Sequence, residues 1–261
     1  MTDTGRANAK RRRTWIIAGS AVAALAVVGV ILLVWYLNQP VPEEVSIEGA
    51  VEGVATTATG GSDGVPPIEP LDGSWGVNTE IGEFSFEDAS SSFVGFRIDE
   101  ELTSIGATTA VGRTPAVSGS FTLEGTTITD AVIEADMTAI VTNADRRNRA
   151  VQRALATEAF PTATFTLTAP IELGSIPEVG VPASAIATGE LFIKGVSVPI
   201  DIPLEAQIVP LSTDQWGDVI AVVGSVDITF ADWGVEVPSA PVVVSADDHG
   251  ILEMQLLFTR T

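Results

Sequence analysis

The chain has 261 residues, of which 46% are hydrophobic and 18% charged, with a formal net charge of −21, one histidine and no cysteine. These figures exclude a wholly disordered chain, disulfide scaffolds, thiolate metal sites, cysteine nucleophiles and multi-histidine centres. Such acidity also sets nucleic acid and anionic headgroups aside as partners of the main domain, and 6% aromatics with one tyrosine argue against a stacking platform for bases or sugars.

Residues 1–14 form a basic tail, with Arg6, Lys10, Arg11, Arg12 and Arg13 against Asp3. No charged residue occurs from Trp15 to Leu37. As a helix that run reaches about 34 Å, enough to cross the hydrocarbon of a bilayer. Trp15 stands at one end and Trp35 and Tyr36 at the other, where amphipathic rings settle at the interface. The reading is a single-pass transmembrane helix over 15–37, with the N-terminus cytoplasmic and the following residues extracytoplasmic. A cleaved signal peptide would have a shorter apolar core and a small-x-small site after it, which WYLNQP does not offer.

Residues 38–73 are rich in Pro, Gly, Thr and Glu, with no aromatic residue and no sustained period. They read as a flexible extracytoplasmic linker that holds the next domain off the bilayer.

From Ser74 to the C-terminus the pattern is that of strands. Val94, Phe96 and Ile98 share one face of their run. Ile133, Ala135 and Met137 do so in theirs, as do Phe165 with Leu167, Leu191 with Ile193, Val226 with Ile228 and Phe230, and Leu252 with Met254, Leu256 and Phe258. A period of two with one apolar face predicts antiparallel sheet, packed on one side and wet on the other. Turn signals separate the runs at Gly125, Lys194-Gly195, Asp232-Trp233-Gly234 and Asp248-His249-Gly250. Pro199 and Pro203 fall on the outward face of their run, which places that strand at an edge or a barrel seam. Asn143–Leu155 breaks the pattern as one short inserted helix, with Val151 and Leu155 as a thin apolar stripe. The fold class is therefore all-β, either a barrel of about eight strands around a filled or ligand-holding interior, or a sandwich with a filled core.

The motifs from Ser74 onward resemble the YceI-like family of lipid- or polyisoprenoid-binding proteins. SFVGFRIDEEL and TTAVGRTPAVSGSFTLEG, with Phe121 and Gly125, look like that family's first two strands. ADMTAIVTNADRRNRAVQRALATEAFPTATFTL looks like its strand–helix–strand motif, carried by Thr142, Asn143, Arg146, Arg147, Phe160, Pro161 and Phe165. GELFIKGVSVPIDIPLEA resembles a further strand of the family through Gly189, Leu191, Gly195, Val196 and Pro199. This chain has Arg147-Asn148 where the family has Arg-Asp, and Phe192 where it has Thr. The resemblance implies a lipocalin-like antiparallel barrel over 74–261, enclosing a long apolar chain outside the cytoplasm.

The expected lining is Val94, Phe96, Ile98, Phe121, Ile133, Met137, Phe165, Leu167, Leu191, Ile228, Phe230, Met254 and Leu256, since an acyl or prenyl chain needs a dry aliphatic and aromatic tube. Arg146, Arg147 and Asn148 are candidate headgroup contacts, because guanidinium suits phosphate. DDHG around His249 reads as a hairpin turn without chemistry. Acid pairs such as Glu100-Glu101, Asp214 with Asp218, and Asp232 with Glu236 lack the aromatic platform of a glycosidase. No phosphate loop, nucleophile elbow or dinucleotide fingerprint occurs. The sequence thus predicts a membrane-tethered binding protein for an isoprenoid or other long-chain amphiphile, not an enzyme, with no metal or cofactor. The alternative is an extracytoplasmic β-sandwich acting as an adhesion or scaffold element.

Overall fold

A computed structural model describes residues 41–57, 71–103, 106–143, 145–210, 218–238 and 243–261. The basic tail, the apolar run Trp15–Leu37 and Asp214 lie outside the described residues. Among the described residues no helix is long and apolar enough to cross a membrane. Val41–Thr261 is a unit of its own, separate from Met1–Pro40.

In chain order the elements are helix α1 (Ile47–Thr57), strands β1 (Gly73–Val77), β2 (Phe93–Leu102), β3 (Gly106–Thr114), β4 (Val117–Glu124), β5 (Thr127–Asp136) and β6 (Val141–Thr142), and helix α2 (Asp145–Ala154). Then come β7 (Thr162–Leu167), β8 (Ile171–Glu172), β9 (Ala183–Ile193), β10 (Val196–Pro210), β11 (Asp218–Thr229), β12 (Val243–Ala246) and β13 (His249–Arg260). Eight strands close into an antiparallel barrel in the order β1-β4-β5-β7-β9-β10-β11-β13, with β1 pairing β13 to complete the circle. The interior is therefore that of a barrel, not of a two-sheet sandwich. Trp75 of β1 seals the join. It faces Phe121 across β4, a stacked pair at 6.4 Å, and Phe121 meets Phe258 of β13 edge-on at 4.9 Å.

Beside β1, β13 also pairs β2 through Phe93–Arg97, and β2 carries β3, which carries β6. β12 continues along β2 beyond β13. The DDHG segment is consequently not a hairpin turn. β12 and β13 lie end to end on one neighbour, Ala246 opposite Glu100 and Ile251 opposite Arg97. The surplus residues form an irregularity, tied by the Asp247 amide donating to the Asp99 carbonyl at 3.0 Å.

The proline-bearing half of β10 behaves as the sequence predicts. Pairing with β11 starts only at Leu204 opposite Gly224, while Val196–Pro203 pairs with β9. Prolines are tolerated at that seam because no ladder partner there needs their missing N–H. Lys194 and Gly195, at φ 50° and 82°, make the two-residue turn that matches strand twist and aligns Ile193 opposite Val196.

The linker expectation fails for residues 41–57. Ser46 Oγ accepts from the Gly49 amide at 3.2 Å and caps α1. Ile47, Ala50 and Val54 are buried on Val209, Val219, Ala221, Val223 and Leu257 of the outer barrel wall. Their spacing is helical, and Gly53 lets the helix lie against the loop before β2, since a Cβ there would be 2.7 Å from Ser90 Cβ. The outer face of β11 is thus dry as well, which explains the unbroken apolar run Val219–Val223.

Candidate functional site

Inside the barrel is a cavity of about 290 Å³ with a hydrocarbon wall. All thirteen residues proposed as lining stand on that wall: Val94, Phe96, Ile98, Phe121, Ile133, Met137, Phe165, Leu167, Leu191, Ile228, Phe230, Met254 and Leu256. Strand alternation brings most of them together, because the barrel strands, and β2 beside β13, send each second side chain inward, while Met137 and Phe230 enter from the 3-10 turns that follow β5 and β11. The wall also includes residues the sequence reading passed over: Leu123, Ile128, Ala187, Ile193, Ile202, Leu204, Ile208, Ile220 and Val222. For Ile202 and Leu204 the alternation was visible; Ile220 and Val222 were hidden in a run apolar on both faces. Glycine shapes the wall at one point. A Cβ on Gly189 would lie 2.5 Å from the Phe165 ring, so the missing side chain leaves the room that the ring occupies.

One end of the cavity is bordered by α2 and by the turn after β11. Val151, Ala154 and Leu155 line the cavity from the helix, and Trp233, Val235 and Val237 from the turn. Trp233 is fixed by its Nε1 donating to the Leu191 carbonyl at 2.9 Å. α2 is held by polar contacts at its flank. Arg147 pairs with Glu100 and donates to Asn143 Oδ1 at 2.8 Å. Asn148 Oδ1 accepts from the Thr142 amide and hydroxyl, both at 2.7 Å, and Gln152 Nε2 donates to the Thr138 carbonyl at 2.9 Å. Of the three candidate headgroup contacts, Arg147 and Asn148 therefore fasten the helix, and Arg146 is exposed. The pair Glu100-Glu101 is divided, since Glu100 is engaged by Arg147.

The opposite side of the wall carries a buried charge cluster. Glu253 of β13 meets Arg113 Nε at 2.9 Å and Arg97 Nη1 at 3.5 Å. The arginines also donate outward, Arg97 to the Pro42 carbonyl at 2.8 Å and Arg113 to the Glu43 carbonyl at 2.6 Å, and Arg113 lies 4.5 Å over the Phe93 ring. Two cations against one anion leave a surplus that the backbone carbonyls of the N-terminal segment solvate.

Two ionisable groups stand off the wall. Asp136 is held below the usual carboxylate range, first by the Thr138 hydroxyl and then by the Thr138 amide. His249 is raised by its hydrogen bond with Asp248, at 3.2 Å, and by the nearby Asp247 and Asp227 charges.

Residues 87–257 match the YceI-like domain family, well over half of the chain, and the chain belongs to that family. Among solved structures it is similar to a polyisoprenoid binding domain from Saccharophagus degradans implicated in plant cell wall breakdown. The identity is 19%, over 72% of this chain and 98% of that one, with a TM-score of 0.54. BcnA of Burkholderia cenocepacia is 18% identical over 64% and 95% of the two chains, with a TM-score of 0.45. The YceI protein of Campylobacter jejuni is 17% identical over 57% and 84%, with a TM-score of 0.46. No curated protein matches the chain.

Proposed function

We propose that this YceI-like chain holds the hydrocarbon part of an isoprenoid or other long-chain amphiphile inside its barrel. The supporting observation is the cavity itself, hydrocarbon-walled and about 290 Å³ in volume. An apolar void of ~150 Å³ already stays dry and takes up benzene. Each methylene moved from water into such a wall contributes about 0.8 kcal/mol, so a chain of about ten offsets the cost of its own ordering. The solved polyisoprenoid binding domain from Saccharophagus degradans, which shares the fold, supports the prenyl class. The activity is retention and release of cargo, with no chemical step.

The run Trp15–Leu37 serves as a membrane anchor in this reading, with the barrel outside the cytoplasm. Its support is the uncharged length and the preceding basic cluster. Only Asn38, Gln39 and Pro40 lie between that run and Val41.

Mass spectrometry of organic extracts from the purified full chain tests the cargo, together with uptake of an apolar fluorescent probe. Long-chain lipid in the extract and saturable probe uptake are expected. Absence of both overturns the reading. Resistance to extraction from membranes at high pH tests the anchor, and release into the supernatant overturns that part alone.

A further inference from the structure

We propose that the outer face of α2 docks on an anionic bilayer surface and so turns the α2 end of the cavity toward the lipid. Eight basic residues follow Leu37, and the fold consumes five of them. Arg97 and Arg113 are buried on Glu253, Arg147 is paired with Glu100, Lys194 donates to the Gly234 carbonyl, and Arg260 lies over the Trp75 ring. The remaining three, Arg146, Arg149 and Arg153, are all exposed and have no ion-pair partner among the described residues.

Their spacing of three and four places them on one stripe of α2. Val151 and Ala154, the cavity-lining residues of the same helix, and Leu155 directly after it, fall on the opposite side. Like charges in one stripe disfavour a helix, and no ion pair among the described residues offsets that cost. An external anionic surface does remove it. Guanidinium presents paired donors to phosphate, and the rest of the chain after Leu37 is acidic and is repelled by such a surface, so the stripe also sets the orientation of the barrel. The helix that forms the cavity's end then lies between the cargo and the headgroups. The docking does not depend on what the cavity holds; only its purpose rests on the cargo reading.

The chain has no cysteine, so Ala150→Cys gives a single labelling position beside the stripe and off the cavity wall. The labelled full chain is reconstituted with vesicles of phosphatidylcholine, alone or mixed with phosphatidylglycerol, that carry an acceptor lipid. Energy transfer should be higher in the mixed vesicles and should fall as salt is raised. The triple variant Arg146→Gln, Arg149→Gln, Arg153→Gln should fall to the phosphatidylcholine level, since each arginine near an anionic surface contributes roughly fivefold and three about a hundredfold. The corresponding triple lysine variant should retain most of the response. Uptake of an apolar probe by all variants reports the fold and the cavity, so loss of docking and loss of cargo binding are read separately. Equal transfer in the two lipid mixtures, an undiminished glutamine variant, or a lysine variant as weak as the glutamine one overturns the proposal. Retention on a heparin matrix without any response to vesicles assigns the stripe to a soluble polyanion, and overturns it too.

Discussion

The two faces of the barrel wall are built from the same strands and end in opposite states. On β13, Leu252, Met254, Leu256 and Phe258 point into an open cavity. Glu253 and Leu257, between them, are buried from the other side by Arg97, Arg113 and the segment Val41–Thr57. The inner face keeps its volume because the outer face is packed. A wall with space on one side loses the dispersion contacts that would fix its side chains, and the second layer of contacts outside restores them. Stability is therefore expected to reside mainly outside the barrel and capacity inside it.

The largest expected effect is at Glu253. Glu253→Gln leaves Arg97 and Arg113 buried without their counter-ion, and the loss is expected at about 3–5 kcal/mol in urea denaturation. A loss below about 1 kcal/mol would mean that water or the Pro42 and Glu43 carbonyls suffice. Next is the helix outside. Ile47→Ala removes a side chain 2% exposed and should cost about 3 kcal/mol, while apolar probe affinity stays unchanged. A parallel fall in probe affinity at temperatures where the variant is folded would join the two faces into one system. Inside, Val222→Phe places a ring in existing space. Stability should change by about 1 kcal/mol or less, and probe uptake should drop at least tenfold by fluorescence titration. Normal uptake would show that the cargo avoids that wall.

The smallest effects belong to the two groups off both faces. Thr138→Val should let the Asp136 carboxyl rise toward its ordinary value, as read by NMR titration. Because the folded pKa is depressed, the stability it contributes is present above the unfolded pKa and lost as pH falls through the folded one. Asp248→Asn should lower the His249 pKa. That raised pKa contributes below the unfolded value of 6.5 and is lost as pH rises through the folded value. Neither variant should alter probe uptake.

The inner face was legible in the sequence because one rule generates it: strands of period two with Phe, Ile, Leu or Met at alternate positions. The outer face was not. Ile47, Ala50, Val51 and Val54 do keep helical spacing, but Gly49, Gly53 and the acids Glu48 and Glu52 between them give the composition of a tether. Of these, Gly53 is what allows α1 to lie against Ser90, in the loop before β2. The Arg97–Arg113–Glu253 cluster was invisible for another reason. Its members are brought together only by the pairing of β13 with β2 and of β2 with β3, and each is unremarkable in its own strand. At α2, Val151 and Leu155 were readable as a stripe, yet that they face a cavity and not a packed sheet follows from closure of the barrel.

β13 borders β11 on one side and both β1 and β2 on the other. A ribosome releases those residues after every other strand. Until they emerge, β11, β1 and β2 have no common partner and the ring stays open, with raw edges and an oily interior facing solvent. Such late, long-range closure makes for slow maturation and a lengthy window for clumping, so a chaperone that shields the nascent chain would raise the yield of finished barrels more than any substitution in the wall.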